Sequence, residues 1–134
     1  MCGAPRYIDS AQKAVACASS ALAGAPAQCA SLLHAHEELR RPPRVVVIRA
    51  DEHHAAAWRA AAYRQFDPSQ LTFVIPPATE NLPEALAVRR AAGAGVAYVC
   101  EGAQCQTPAT TPDNLARQLA RGRAGENMPP ANKS

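Results

Sequence analysis

The hydrophobic positions change their period once along this chain. Up to Leu39 they recur every three or four residues: Ile8, Ala11, Val15, Ala18 and Leu22 form one stripe, and Cys29, Leu32, Leu33, His36 and Leu39 a second. That spacing predicts two amphipathic helices. Asp9 or Ser10 can cap the first, Gly24 and Pro26 end it, and the second runs from about Ala27 to Leu39. Arg40 and Arg41 suit the negative end of its dipole, and Pro42-Pro43 forbid continuation. Beyond them comes Val45-Val46-Val47-Ile48, a β-branched run without polar alternation. Such a run predicts a strand covered on both faces.

After that strand, helical and extended patterns alternate. Asp51 can cap a helix from about Glu52 to Phe66, stopped by Asp67-Pro68. Leu71 to Ile75 reads as a second strand, Leu82 to Ala92 as a weaker helix, and Val96 to Val99 as a third strand. Cys105-Gln106-Thr107 can fold back as a fourth strand, and Thr111 caps a last helix with Pro112 at its first position. The fold class is therefore α/β: an N-terminal helical hairpin, then a small three- to four-stranded, mostly parallel sheet with flanking helices. The boundaries expected are a hairpin over 1–42, an α/β domain over 43–122 and a disordered tail over 123–134, where Gly, Pro, Asn and charge dominate. Two amphipathic helices joined by a short turn do not bury their stripes by themselves. Exposed stripes of this kind point to self-association or to a docking partner.

Composition narrows the function classes. Of 134 residues, 48% are hydrophobic but only 4% aromatic, so the core must be built from Val, Leu, Ile and Ala. The net charge of +3 is mild, and its basic residues are scattered without interleaved aromatics, which reads as a solvated mixed surface and gives no case for nucleic acid. Residues 1–6 do not open a secretory signal, and no apolar run is long enough for a bilayer, so a cytoplasmic chain without a membrane partner is expected. The cysteines (Cys2, Cys17, Cys29, Cys100 and Cys105) are odd in number, unlike a secreted disulfide framework.

The candidate chemistry lies in Tyr98-Val99-Cys100-Glu101-Gly102-Ala103-Gln104-Cys105. A four-residue turn can place Cys100 and Cys105 opposite each other on a hairpin. Two incidental thiols, a reversible disulfide and half of a metal site all fit that spacing. It is not the Cys-x-x-Cys of a helix N-terminus, where the dipole lowers a thiol pKa. The loop is short, so by chain entropy a bond adds only about 2 kcal/mol. In a reducing cytosol two free thiols are expected, with a disulfide after oxidation. A zinc site needs further ligands, and His34, His36, His53 and His54 do not supply them at sensible spacing, so no metal and no cofactor are expected. Asp51, just after the first strand, stands where an open α/β sheet places a ligand contact, but with no second polar group to join it, helix capping explains it better. Gly93-Ala94-Gly95 precedes a strand and so cannot be a dinucleotide phosphate loop. No catalytic residue is identified.

Several stretches resemble the extreme C-terminus of a large family of thioredoxin-domain-containing proteins, the spermatogenesis-associated-protein-20-like family. They are Ala97-Tyr98-Val99-Cys100, Cys105-Gln106-Thr107-Pro108 and Thr111-Pro112-Asp113-Asn114-Leu115, supported by Pro5 to Ala11, Pro43 to Ile48 and Tyr63 to Pro68. The resemblance spans about residues 5 to 120. It implies a thioredoxin-like N-terminal domain, an (α/α) toroid and a small α/β tail in the family, of which this chain holds the last helical hairpin and the tail. Cys100 and Cys105 match the family's C-terminal pair. The family's thioredoxin-like cysteine motif is not in this sequence, so no catalytic residue carries over. The chain reads as a split or truncated product, not an enzyme by itself, that completes or docks onto the helical toroid. The rival reading is a thiol-based redox or metal-binding module using Cys100 and Cys105.

Overall fold

In the computed structural model, which describes residues 5–102 and 104–126, helix α1 (Pro5–Cys17) starts earlier than a capped Asp9 or Ser10 would place it. Pro5 supplies the helical φ at the first position, where its missing N–H costs nothing. Ser10 is inside the helix, its hydroxyl donating back to the Arg6 carbonyl at 2.8 Å. A short α2 (Ser19–Gly24) follows a break at Ala18, a 3₁₀ turn covers Pro26–Gln28, and α3 runs over Ala30–Arg40. The second helix thus begins three residues later than the pattern predicts, because Pro26 opens a separate turn first. Val15, Leu22, Leu32 and Leu39 are half-buried, as their stripe requires, whereas Leu33 is exposed. Among the described residues from Arg6 to Pro43, none is buried.

The chain divides into two compact units after Pro43, one residue beyond the expected boundary. The second unit holds β1 (Arg44–Ala50), α4 (Glu52–Ala62), β2 (Gln70–Ile75), α5 (Glu84–Ala87), β3 (Gly95–Glu101), β4 (Gln104–Cys105) and α6 (Pro112–Glu126). Every residue of β1 is buried, the burial expected of its Val-Val-Val-Ile run. The sheet order is β2-β1-β3-β4. The architecture is α/β, but the sheet is mixed and not mostly parallel: β1 pairs β2 in parallel, whereas β1–β3 and β3–β4 are antiparallel. A parallel pair needs a crossover that carries the chain back to the starting edge, and α4 provides it between β1 and β2. Between β2 and β3 the helix expected over Leu82–Ala92 shrinks to four residues, so β3 returns in the opposite sense.

Alternation in the strands gives the sheet two distinct faces. Val46, Ile48 and Ala50 of β1, with Ala97 and Val99 of β3, face Trp58 and Ala62 of α4 and Leu115 and Leu119 of α6 in one continuous core. Full burial of each larger aliphatic side chain contributes about 1.5–3 kcal/mol. Gly95 serves this core by its lack of a side chain. A Cβ there would overlap the indole nitrogen of Trp58 and stand 3.2 Å from Ala50 Cβ.

The opposite face carries Val45, Val47 and Arg49 of β1, in register with Cys100, Tyr98 and Val96 of β3. The connection between β2 and β3 is tied to residues of this face. Arg49 Nη2 donates to the carbonyls of Pro76 and Pro77 at 3.2 and 2.9 Å, and Tyr98 Oη donates to the Arg90 carbonyl at 2.7 Å. Arg44 and Arg49, at the two ends of β1, are buried, which departs from the solvated surface expected for the basic residues. Arg44 survives burial because its donors find oxygen: its Nε meets Glu101 Oε1 at 2.7 Å, and its Nη1 lies 3.5 Å from Asp67 Oδ2. Arg49 is satisfied only through Nη2, and its Nε is buried without a hydrogen-bond partner.

Three smaller differences remain. Helix α4 ends at Ala62, short of Phe66, and Gln70 Nε2 donates to the open Ala62 carbonyl at 2.9 Å. The fourth strand pairs Gln104 and Cys105, one residue earlier than Cys105–Thr107. Helix α6 runs through Gly122 to Glu126, so the tail expected from residue 123 starts as helix, and its remainder lies outside the described residues.

Candidate functional site

Cys100 and Cys105 face each other directly across the β3–β4 pair. The amide of Gln106 donates to the Val99 carbonyl at 2.8 Å, so the bonds of the ladder flank the cysteine pair and leave it in the narrow, non-hydrogen-bonded position. Its Cα atoms are 4.0 Å apart, and the two sulfurs are joined in a disulfide. The hairpin that permits this turns at Gly102, whose φ of 57° is a left-handed conformation cheap only for glycine. The two ends of the bond differ in exposure: Cys100 is buried at 3% of its surface, while Cys105 is exposed.

A guanidinium reaches both sulfurs. Arg89 Nη2 lies 3.3 Å from Cys100 Sγ and 3.4 Å from Cys105 Sγ. Arg89 is carried by the segment after α5, and its Nη1 donates to the Ala85 carbonyl within the same turn. Tyr98 anchors the neighbouring Arg90 from the same face of β3. Arg89 forms no ion pair with a carboxylate among the described residues, and its Nε is buried without a hydrogen-bond partner. In the sequence Arg89 is one of two adjacent arginines in an alanine-rich stretch, and no local spacing ties it to the cysteines. Its role depends on the path of the β2–β3 connection, which the strand pattern alone does not reveal.

Asp51 lies at the other end of the sheet from this pair, because Cys100 aligns with Val45 while Asp51 follows Ala50. It is the N-cap of α4. Its Oδ1 accepts from the His54 amide at 3.0 Å and contacts His54 Nδ1 at 2.7 Å. The His54 side chain first, then the His54 amide, hold the Asp51 carboxyl below its ordinary pKa. Its carboxylate is thus committed within its own helix terminus. Among the described residues, no three His, Cys, Asp or Glu side chains converge as a metal site. No helix of the described residues is long and apolar enough to cross a membrane.

A cleft of about 240 Å³ opens beside Arg44, between α4 and α6. Arg44, Arg64 and Arg117 give it a cationic rim. Arg44 is already neutralised by Glu101 and Asp67, and Arg117 is turned to the Asn114 side-chain oxygen. The disulfide with its guanidinium is therefore the better-defined chemical arrangement. Comparison with protein-family models, with curated proteins and with solved structures finds no match to the chain.

Proposed function

We propose that the chain is an α/β module that docks through its N-terminal helices, completing or seating on a larger helical domain such as the toroid implied by the resemblance. The observation that carries this reading is the lack of any buried residue from Arg6 to Pro43, among those described, against a complete core between Val46 and Leu119. Tyr7, Ile8 and Leu33 are large apolar side chains 44–54% exposed. Helices gain most of their stability from packing an apolar face, so three short helices without a buried position gain little by themselves. A helical domain that covers those faces would supply the missing burial. In this reading the protein is cytoplasmic, and self-association through the same helices is the outcome when the partner is absent.

The test is light scattering on the purified chain, with a hydrophobic dye and hydrogen exchange read on the same sample. The expected result is concentration-dependent association, dye binding and weak amide protection over residues 5–40. A monomer that binds no dye and protects those amides as well as the sheet would overturn the proposal.

A further inference from the structure

We propose that Cys100 and Cys105 form a thiol–disulfide exchange site in which Arg89 stabilises the departing thiolate. This inference rests on the sheet edge alone and is independent of the docking helices.

The two sulfurs are inequivalent. Cys105 sits on the edge strand β4 and is exposed, whereas Cys100 is buried in β3. An incoming thiolate therefore reaches Cys105 Sγ first, and Cys100 Sγ is the leaving group. Arg89 Nη2 is 3.3 Å from that leaving sulfur. Exchange quickens as the leaving thiol becomes more acidic, and an adjacent guanidinium makes a thiol more acidic. Burial of Cys100 opposes its ionisation, and the cation offsets that cost. The half-buried Arg89 also has no carboxylate partner among the described residues. Opening the disulfide would supply an anion where the fold has placed only a cation.

The co-reactant is a dithiol. One of its thiolates attacks Cys105 Sγ; the Cys105–Cys100 bond breaks, a bond to the reductant forms, and the electron pair leaves on Cys100 Sγ. The second thiolate then attacks the reductant sulfur of the mixed disulfide. Cys105 is released as a thiolate, and the reductant departs as its own disulfide. The reductant loses two electrons, the protein pair gains them, and each protein thiolate takes a proton from water or stays charged beside Arg89. The reverse sequence oxidises a dithiol substrate.

Two measurements test this. Stopped-time alkylation during reduction by dithiothreitol should show Arg89→Gln reacting about fivefold more slowly than the parent chain, with Arg89→Lys between them. Brief exposure of the unmodified chain to reduced glutathione, followed by fragmentation mass spectrometry, should place the adduct on Cys105. Equal reduction rates in the parent and a folded Arg89→Gln chain would overturn the proposal. An adduct on Cys100, or none at all, would do the same, and this second measurement decides the matter even where the Arg89 variant does not fold.

Discussion

At the residue scale, the tightest constraint in the core is a missing side chain. Gly95 opens β3 against the edge of the Trp58 ring, and an added methyl would meet both that ring and Ala50. The neighbours are a strand and a packed indole, neither of which moves cheaply. Overpacking of this kind costs about 1–3 kcal/mol. Gly95→Ala should therefore lower stability by that amount in urea unfolding, without change in the slope of the transition; an unchanged midpoint would mean that Trp58 is free to shift. This contact was not legible from the sequence, where Gly93-Ala94-Gly95 is weighed as a phosphate loop and set aside. It joins residues of α4 and β3 that come together only once β3 pairs beside β1. The cysteine pair was legible because a hairpin turn fixes its geometry locally. Arg89 was not, because its neighbour in space lies across a connection with little regular structure.

At the scale of elements, two helix N-caps were readable, although α1, α3, α4 and α5 each have an end displaced from the sequence pattern. Thr111 Oγ1 accepts from the Asn114 amide at 3.2 Å, and Asp51 caps α4, because these bonds need only the next three residues. Strand direction was not readable, since it depends on whether a connection forms a full crossover. The Asp51 cap has a pH signature. Its folded carboxyl titrates below the ordinary value, so its contribution is complete above the unfolded pKa and disappears as pH falls through the folded one. Asp51→Ala should be less stable than the parent near neutral pH, and the two should converge in acid. Asp51→Asn keeps an acceptor for the His54 amide and should lie between them. Denaturation series at several pH values check this, and a gap that persists in acid would show that the carboxylate charge is not what stabilises the cap.

At the scale of the whole molecule, the change in hydrophobic period near Pro42-Pro43 marks the division that the fold adopts after Pro43. Among the described residues, the buried hydrophobic side chains all lie within residues 45–119. A chain that starts at Arg44 should therefore keep a cooperative thermal transition and its sheet signal by circular dichroism. A broad, non-cooperative melt would mean that the N-terminal helices belong to the same core.

The central place of β1 also governs the order in which the sheet can assemble. The crossover through α4 brings β2 to one side of it from nearby in the chain, whereas Arg44 meets Glu101 on the other side at a separation of 57 residues. Closing that longer loop costs about 0.6 kcal/mol more entropy before any contact rewards it, so the β1–β3 pairing is expected to follow the β1–β2 pairing. The disulfide spans a separation of only five residues, within the hairpin itself. It leaves the long loop as long as before, and the oxidised and reduced chains face the same search for β1.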